Sequence, residues 1–176
     1  LVYDRSGALL GHVAGHGENR VAVPVSEVSP FFIKALLARE DSRFYKHHGV
    51  DFLGVARAFV TNIKAGGMEQ GASTLTMQLA RNTFGMKEMS LQRKIMEVAL
   101  SQRIERHFTK DEILAFYMNR VYFGSGLYGI ERAAQGYFMK SASELSLGES
   151  AMLAGVIRGP SLLNPFRSLD NAKDIQ

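Results

Sequence analysis

From Ser29 onward the chain repeats one pattern: a short polar residue able to cap a helix, then a segment whose apolar residues recur near the helical period. Ser29-Pro30, Asp51, Ser73 and Ser90 each open such a segment, and Thr109-x-x-Glu112 and Ser146-x-x-Glu149 do so as capping boxes. The pattern predicts helices from Pro30 to about Glu40, Phe52 to about Lys64, Ser73 to Thr83, Ser90 to about His107, and about Leu127 to Phe138. Two more begin at Thr109 and Ser146. No internal repeat, low-complexity run or linker interrupts this stretch between Ser26 and Pro160. A chain punctuated in this way folds as a mainly α protein.

Residues 1–25 read differently. A turn signal at Asp4-Arg5-Ser6-Gly7 precedes Ala8-Leu9-Leu10-Gly11-His12-Val13, and Val21-Ala22-Val23-Pro24 follows a glycine-containing stretch. This is a segment of short strands and loops, set before a body spanning residues 26–176. With 176 residues and 46% apolar content, one core needs no disulfide or metal to form. The absence of cysteine excludes thiolate catalysis and Cys-based zinc sites, while leaving the compartment open. A net charge of +4 favours anionic partners without ranking them. No apolar run of about 18 residues is present to span a bilayer.

The segment Phe52 to Lys64 is apolar almost all round, with Phe52, Leu53, Val55, Ala56, Phe59, Val60 and Ile63, and is closed by Gly66-Gly67. Two readings fit it: a core helix covered on most sides, or a segment dipping into a membrane interface with Arg57 and Lys64 toward the head groups.

Several groups bear on chemistry. Gly66 and Gly71 have the spacing of a P-loop, but Ala72 stands where its lysine belongs. The histidines show no metal-ligand spacing on one helix face. On the helix opened by Ser73, Thr74, Gln78 and Arg81 share one polar stripe of hydroxyl, amide and guanidinium. Free backbone donors at that helix's start suit an anion. On the next helix Glu97 faces Arg93 and Lys94 at i+4 and i+3 spacing. Glu40 and Asp41 lie at a predicted helix end next to Phe44, which sets a carboxylate against an aromatic ring. Taken singly, each of these groups is equally consistent with a solvated face or a surface ion pair.

Together they are not. Glu40-Asp41-Ser42-Arg43-Phe44-Tyr45-Lys46-His47-His48-Gly49, Gly71-Ala72-Ser73-Thr74-Leu75-Thr76-Met77-Gln78, Arg93-Lys94-Ile95-Met96-Glu97 and Lys110-Asp111-Glu112-Ile113-Leu114-Ala115-Phe116-Tyr117-Met118-Asn119 resemble, in order and spacing, four motifs of the family 51 peptidoglycan glycosyltransferases. The resemblance extends through Tyr122 to Gly129 and Pro160 to Pro165, and is closest to the bifunctional class A penicillin-binding proteins. It implies a lysozyme-like large lobe with a smaller, mobile, membrane-proximal lobe. It also implies an upstream membrane helix, a following transpeptidase domain, and a place on the outer side of a bacterial cytoplasmic membrane.

The implied activity joins lipid II to a growing lipid-linked glycan chain, with inversion and release of a polyprenyl diphosphate. In that scheme Glu40 is the general base and Glu97 the second carboxylate. Thr74, Gln78, Arg81, Arg93 and Lys94 hold sugar or diphosphate oxygens. Asp41, Phe44, His47, Ser73 and Asn119 support the cleft. Glu97 could hold Lys94, a divalent cation such as Mg2+ or Mn2+, or both; no organic cofactor is implied. The implied partners are lipid II, the membrane surface and inhibitors of the moenomycin type, with no nucleic acid.

The chain departs from the family pattern at Met77, usually glutamine, but that position lies about 100° of helix rotation away from the Thr74, Gln78, Arg81 stripe. The family's fifth motif, an arginine-containing segment, lies beyond Gln176. A glycan hydrolase on the same scaffold would need a protonated acid at a sugar leaving oxygen, whereas a departing diphosphate calls for cations. A non-catalytic glycan- or membrane-binding module would not need Glu40, Arg81, Lys94 and Glu97 together.

Overall fold

The computed structural model describes residues 2–3, 9–11, 20–67, 71, 73–86 and 90–167. The helices in order are α1 (Pro30–Glu40), α2 (Phe52–Ala65), α3 (Leu75–Thr83), α4 (Leu91–His107), α5 (Lys110–Met118), α6 (Ile130–Phe138) and α7 (Leu147–Val156). Before them, β1 (Val2–Tyr3) and β2 (Leu9–Gly11) pair antiparallel. The turn expected at Asp4 to Gly7, the Gly71-Ala72 step as a whole and the chain beyond Arg167 lie outside the described residues. Val21, Val23 and Val25 already pack on the core, ahead of residue 26.

Phe32 and Leu36 of α1, Leu75 and Leu79 of α3, Ile113, Leu114 and Met118 of α5, Ile130 of α6 and Leu153 of α7 meet in one buried cluster. Each such side chain stabilises the fold by about 1.5 to 3 kcal/mol, so these five helices are fixed by burial. By contrast α2 buries only Ala58, while Phe52, Phe59 and Ile63 are 73%, 66% and 63% exposed. The core-helix reading of this segment is thereby overturned, because its apolar side chains do not reach the cluster.

The caps agree with the sequence in most places and correct it in four. Ser90, Thr109 and Ser146 accept backbone N–H groups in their first turns, and the boxes with Glu112 and Glu149 are complete. Gly66 closes α2 in the left-handed conformation at φ 67°. Ser29, however, donates its hydroxyl to the Leu145 carbonyl at 2.8 Å rather than capping α1. Asp51 stands at the N-cap of α2, where its carboxylate pairs with Arg43 at 3.2 Å and meets the Gly54 N–H without a well-formed capping bond. The third helix starts at Leu75, not Ser73, because Thr74 is its cap. The sixth starts at Ile130, not Leu127. Gly129 holds φ 84° there, and a Cβ on it would come within 2.8 Å of the Asn119 carbonyl, so the chain cannot be helical before it.

Candidate active site

A cleft of about 390 Å³ opens where α1 ends, between α2 and the start of α3. Glu40, Asp41, Ser73, Thr74 and Gln78 all line it, so five of the residues singled out in the sequence converge here. Their convergence has a local cause. Asp41 breaks α1 with φ −161° and turns its carboxylate inward, where Oδ2 accepts the Leu75 N–H at 3.0 Å. His47 Nε2 lies 2.9 and 3.0 Å from the two Asp41 oxygens. Thr74 donates to the Gly49 carbonyl at 2.6 Å and accepts the Met77 N–H at 3.2 Å. Gly49 itself runs so close to α4 that a Cβ would sit 3.0 Å from the Ser101 backbone. These bonds clip the loop after α1 onto the head of α3.

Two expectations change accordingly. The Leu75 and Met77 backbone donors at the start of α3 are satisfied by Asp41 and Thr74, and so are not free for an anion. The Thr74 hydroxyl is likewise engaged on both sides, as donor and as acceptor. Phe44 also differs from its expected place beside Glu40: its ring is buried against Tyr45 and His47, with Lys110 Nζ 4.4 Å from its centroid. The aromatic residue joined to Glu40 is Tyr117. Gln78 Nε2 donates to Glu40 Oε2 at 2.9 Å, and Gln78 Oε1 accepts from the Tyr117 hydroxyl at 3.1 Å. Asn119 lies away from the cleft, where its amide holds the Val23 backbone through bonds of 3.0 and 2.8 Å.

One turn further along α3, a second cluster begins. Lys94 Nζ donates to Ser73 Oγ at 2.6 Å and to Glu97 Oε2 at 3.1 Å. Arg81 Nη1 and Arg93 Nε stand 3.8 and 3.4 Å from Glu97 Oε1. Glu97 is 0% exposed, so this is no surface ion pair of marginal worth but a buried carboxylate holding three cations that reach solvent. Ser73 connects the two clusters: its side chain lines the cleft and receives Lys94.

Three cleft arginines were not singled out as site residues from the sequence: Arg39 on α1, Arg57 on α2 and Arg158 beyond α7. None forms an ion pair among the described residues. Arg39 adjoins Glu40 in sequence, which is a signal of a kind; nothing local marks Arg158. The cleft is therefore lined by the Glu40 carboxylate together with three arginines, and Ser73 joins it to the cation cluster through Lys94.

A transglycosylase family model matches residues 6–176. The chain belongs to the transglycosylase family. This transglycosylase chain is 47% identical over 97% of its length to penicillin-binding protein 1A of Escherichia coli, and 41% identical over 99% to penicillin-binding protein 4 of Bacillus subtilis. It spans only 20% and 28% of those two proteins. Among solved structures it is similar to penicillin-binding protein 1A from Haemophilus influenzae, with a TM-score of 0.50 and 25% identity, covering 98% of this chain and 16% of that one. The mainly helical fold expected of the family is the fold observed, and no described helix is long and apolar enough to cross a membrane.

Proposed function

We propose that this transglycosylase domain polymerises lipid II into β-1,4-linked glycan strands at the outer face of a bacterial cytoplasmic membrane. The observation that carries the reading is that α3 presents Gln78 to the Glu40 carboxylate and, one turn on, Arg81 to the cation cluster around Glu97. The group that holds the proton acceptor and one that meets departing negative charge are thus carried on one helix. Glu40 takes the proton from the acceptor sugar's 4-hydroxyl as that oxygen attacks the donor's anomeric carbon. The bond from that carbon to the polyprenyl diphosphate breaks with inversion, and the leaving group carries the bonding pair away. Lys94, Arg81 and Arg93 offset the charge that develops. Incubation of the purified domain with labelled lipid II, followed by separation of polymer from disaccharide, tests the proposal; absence of polymer from a folded, membrane-supplied domain rejects it.

A divalent cation at Glu97 does not fit this geometry. Oε1 faces two guanidiniums and Oε2 an ammonium, and no group of His, Asp and Glu able to hold a metal occurs among the described residues. No step is assigned to a metal. The same cluster is the place for the phosphate of a moenomycin-type inhibitor. Lys94→Ala is expected to weaken its binding about ten- to hundredfold, as loss of a charge-assisted contact does. Calorimetry checks this, and unchanged affinity would move the phosphate site elsewhere.

The exposed apolar face of α2 is read as a membrane contact; Leu91, Ile95 and Met96 at the start of α4 are also exposed. Its neighbours Arg57 and Lys64 suit anionic head groups. Phe59→Glu should reduce co-sedimentation with vesicles containing anionic lipid about tenfold or more, since one buried aromatic ring stabilises by about 1.5 to 3 kcal/mol. Equal binding by two folded proteins would count against the contact.

A further inference from the structure

Tyr117 is 1% exposed, and the one hydrogen-bond partner of its hydroxyl among the described residues is Gln78. A buried hydroxyl proton left without an acceptor is strongly unfavourable, so Tyr117 donates. That choice decides which end of the Gln78 amide faces it. The amide oxygen turns to Tyr117 and the NH2 group turns to Glu40, 2.9 Å away. An ionised carboxylate can only accept, and a neighbouring N–H donor favours that charged form. Were the amide reversed, its oxygen would meet Glu40 and favour the protonated acid instead, while the Tyr117 proton would be left without an acceptor.

We propose that Tyr117 is a positioning residue for Glu40: by holding the Gln78 amide through its oxygen, it keeps the NH2 group, a donor and not an acceptor, on the carboxylate at the cleft. The inference rests on the assignment of Glu40 as the base. Burial, and then the Glu40 charge, push the Tyr117 phenol far above its ordinary range, with Arg81 opposing in part, so it remains a donor throughout the working range. The other charged groups at the cleft are Arg39 of α1, Arg57 of α2, Arg158 beyond α7, Asp41 held by His47, and Asp51 held by Arg43. They surround Glu40 alike in parent and variant, so a comparison of the two isolates the amide.

Tyr117→Phe keeps the ring and removes only the hydroxyl. With the amide free to reverse, its oxygen can face Glu40, an arrangement that needs a proton between the two oxygens. In a profile of kcat/KM against pH with labelled lipid II, the acid limb should therefore move by about 0.5 to 1 pH unit in the alkaline direction. The loss is about three- to tenfold on that limb, with recovery toward the parent rate above it and KM little changed. Gln78→Met should move the limb the same way, and adding Tyr117→Phe to it should move the limb no further. A loss equal at every pH, or a second movement in the Gln78→Met background, would overturn the inference alone. Persistence of the parent acid limb in Glu40→Gln would overturn the base assignment and this inference with it.

Discussion

Glu40→Gln is expected to reduce polymerisation by about 10²- to 10⁴-fold, the usual contribution of a general base, while leaving the fold and the binding of lipid II nearly intact. The substitution preserves shape, and the new amide can still meet Gln78, which lies 2.9 Å from the native carboxylate. What disappears is the capacity to take a proton in the transition state, so kcat should fall and ground-state affinity should not. The measurement is polymer formed from labelled lipid II, alongside equilibrium binding of the same substrate. A Glu40→Gln protein that polymerises near the parent rate would remove Glu40 from the mechanism.

Glu97→Gln should act differently, through stability as well as rate. The native carboxylate is the shared counter-ion of Arg81, Arg93 and Lys94, and an amide in its place leaves three like charges facing one another. Breaking a buried pair destabilises by about 3 to 5 kcal/mol, and the partial exposure of these cations puts the expected loss near the low end, about 3 kcal/mol. For a domain of this size that lowers the melting temperature by roughly 6 to 12 °C. Activity should fall about a hundredfold even below the melting transition, since Lys94 and Arg81 lose their fixed positions. Added Mg2+ or Mn2+ should not restore it. Restoration by a divalent cation would mean that Glu97 is a metal ligand after all.

Most of the helical architecture was legible because capping chemistry is local: Ser90, Thr109 and Ser146 announce their helices within three residues. Where the reading slipped at Ser29 and Asp51, a group outside the helix had intervened. Ser29 was drawn to Leu145, a contact no window of sequence contains, and Asp51 to Arg43 in the loop just before it, a competition that capping preference alone does not weigh. The candidate site followed the same division. Spacing on one helix brought Gln78 and Arg81 to one side of α3, and Arg93, Lys94 and Glu97 to one turn of α4. The burial of Glu97, the engagement of Thr74, and the arrival of Arg158 from the far end of the chain are tertiary events, as is the substitution of Tyr117 for Phe44 as the aromatic partner of the Glu40 network. Exposure of α2 was undecidable from its composition, since an apolar helix looks the same whether protein or lipid is to cover it.

In the proposed reaction α3, which carries both Gln78 and Arg81, acts as a ruler between the two ends. Three residues of helix advance about 4.5 Å and turn about 300°, which sets both the spacing and the angle between the group that steadies the base and the one that greets the leaving charge. A single residue inserted between them would leave every functional group present and swing one end about 100° out of phase with the other. The proposed mechanism thus asks nothing of the Met77 side chain, which is buried and does not line the cleft, but depends on the number of residues between Gln78 and Arg81.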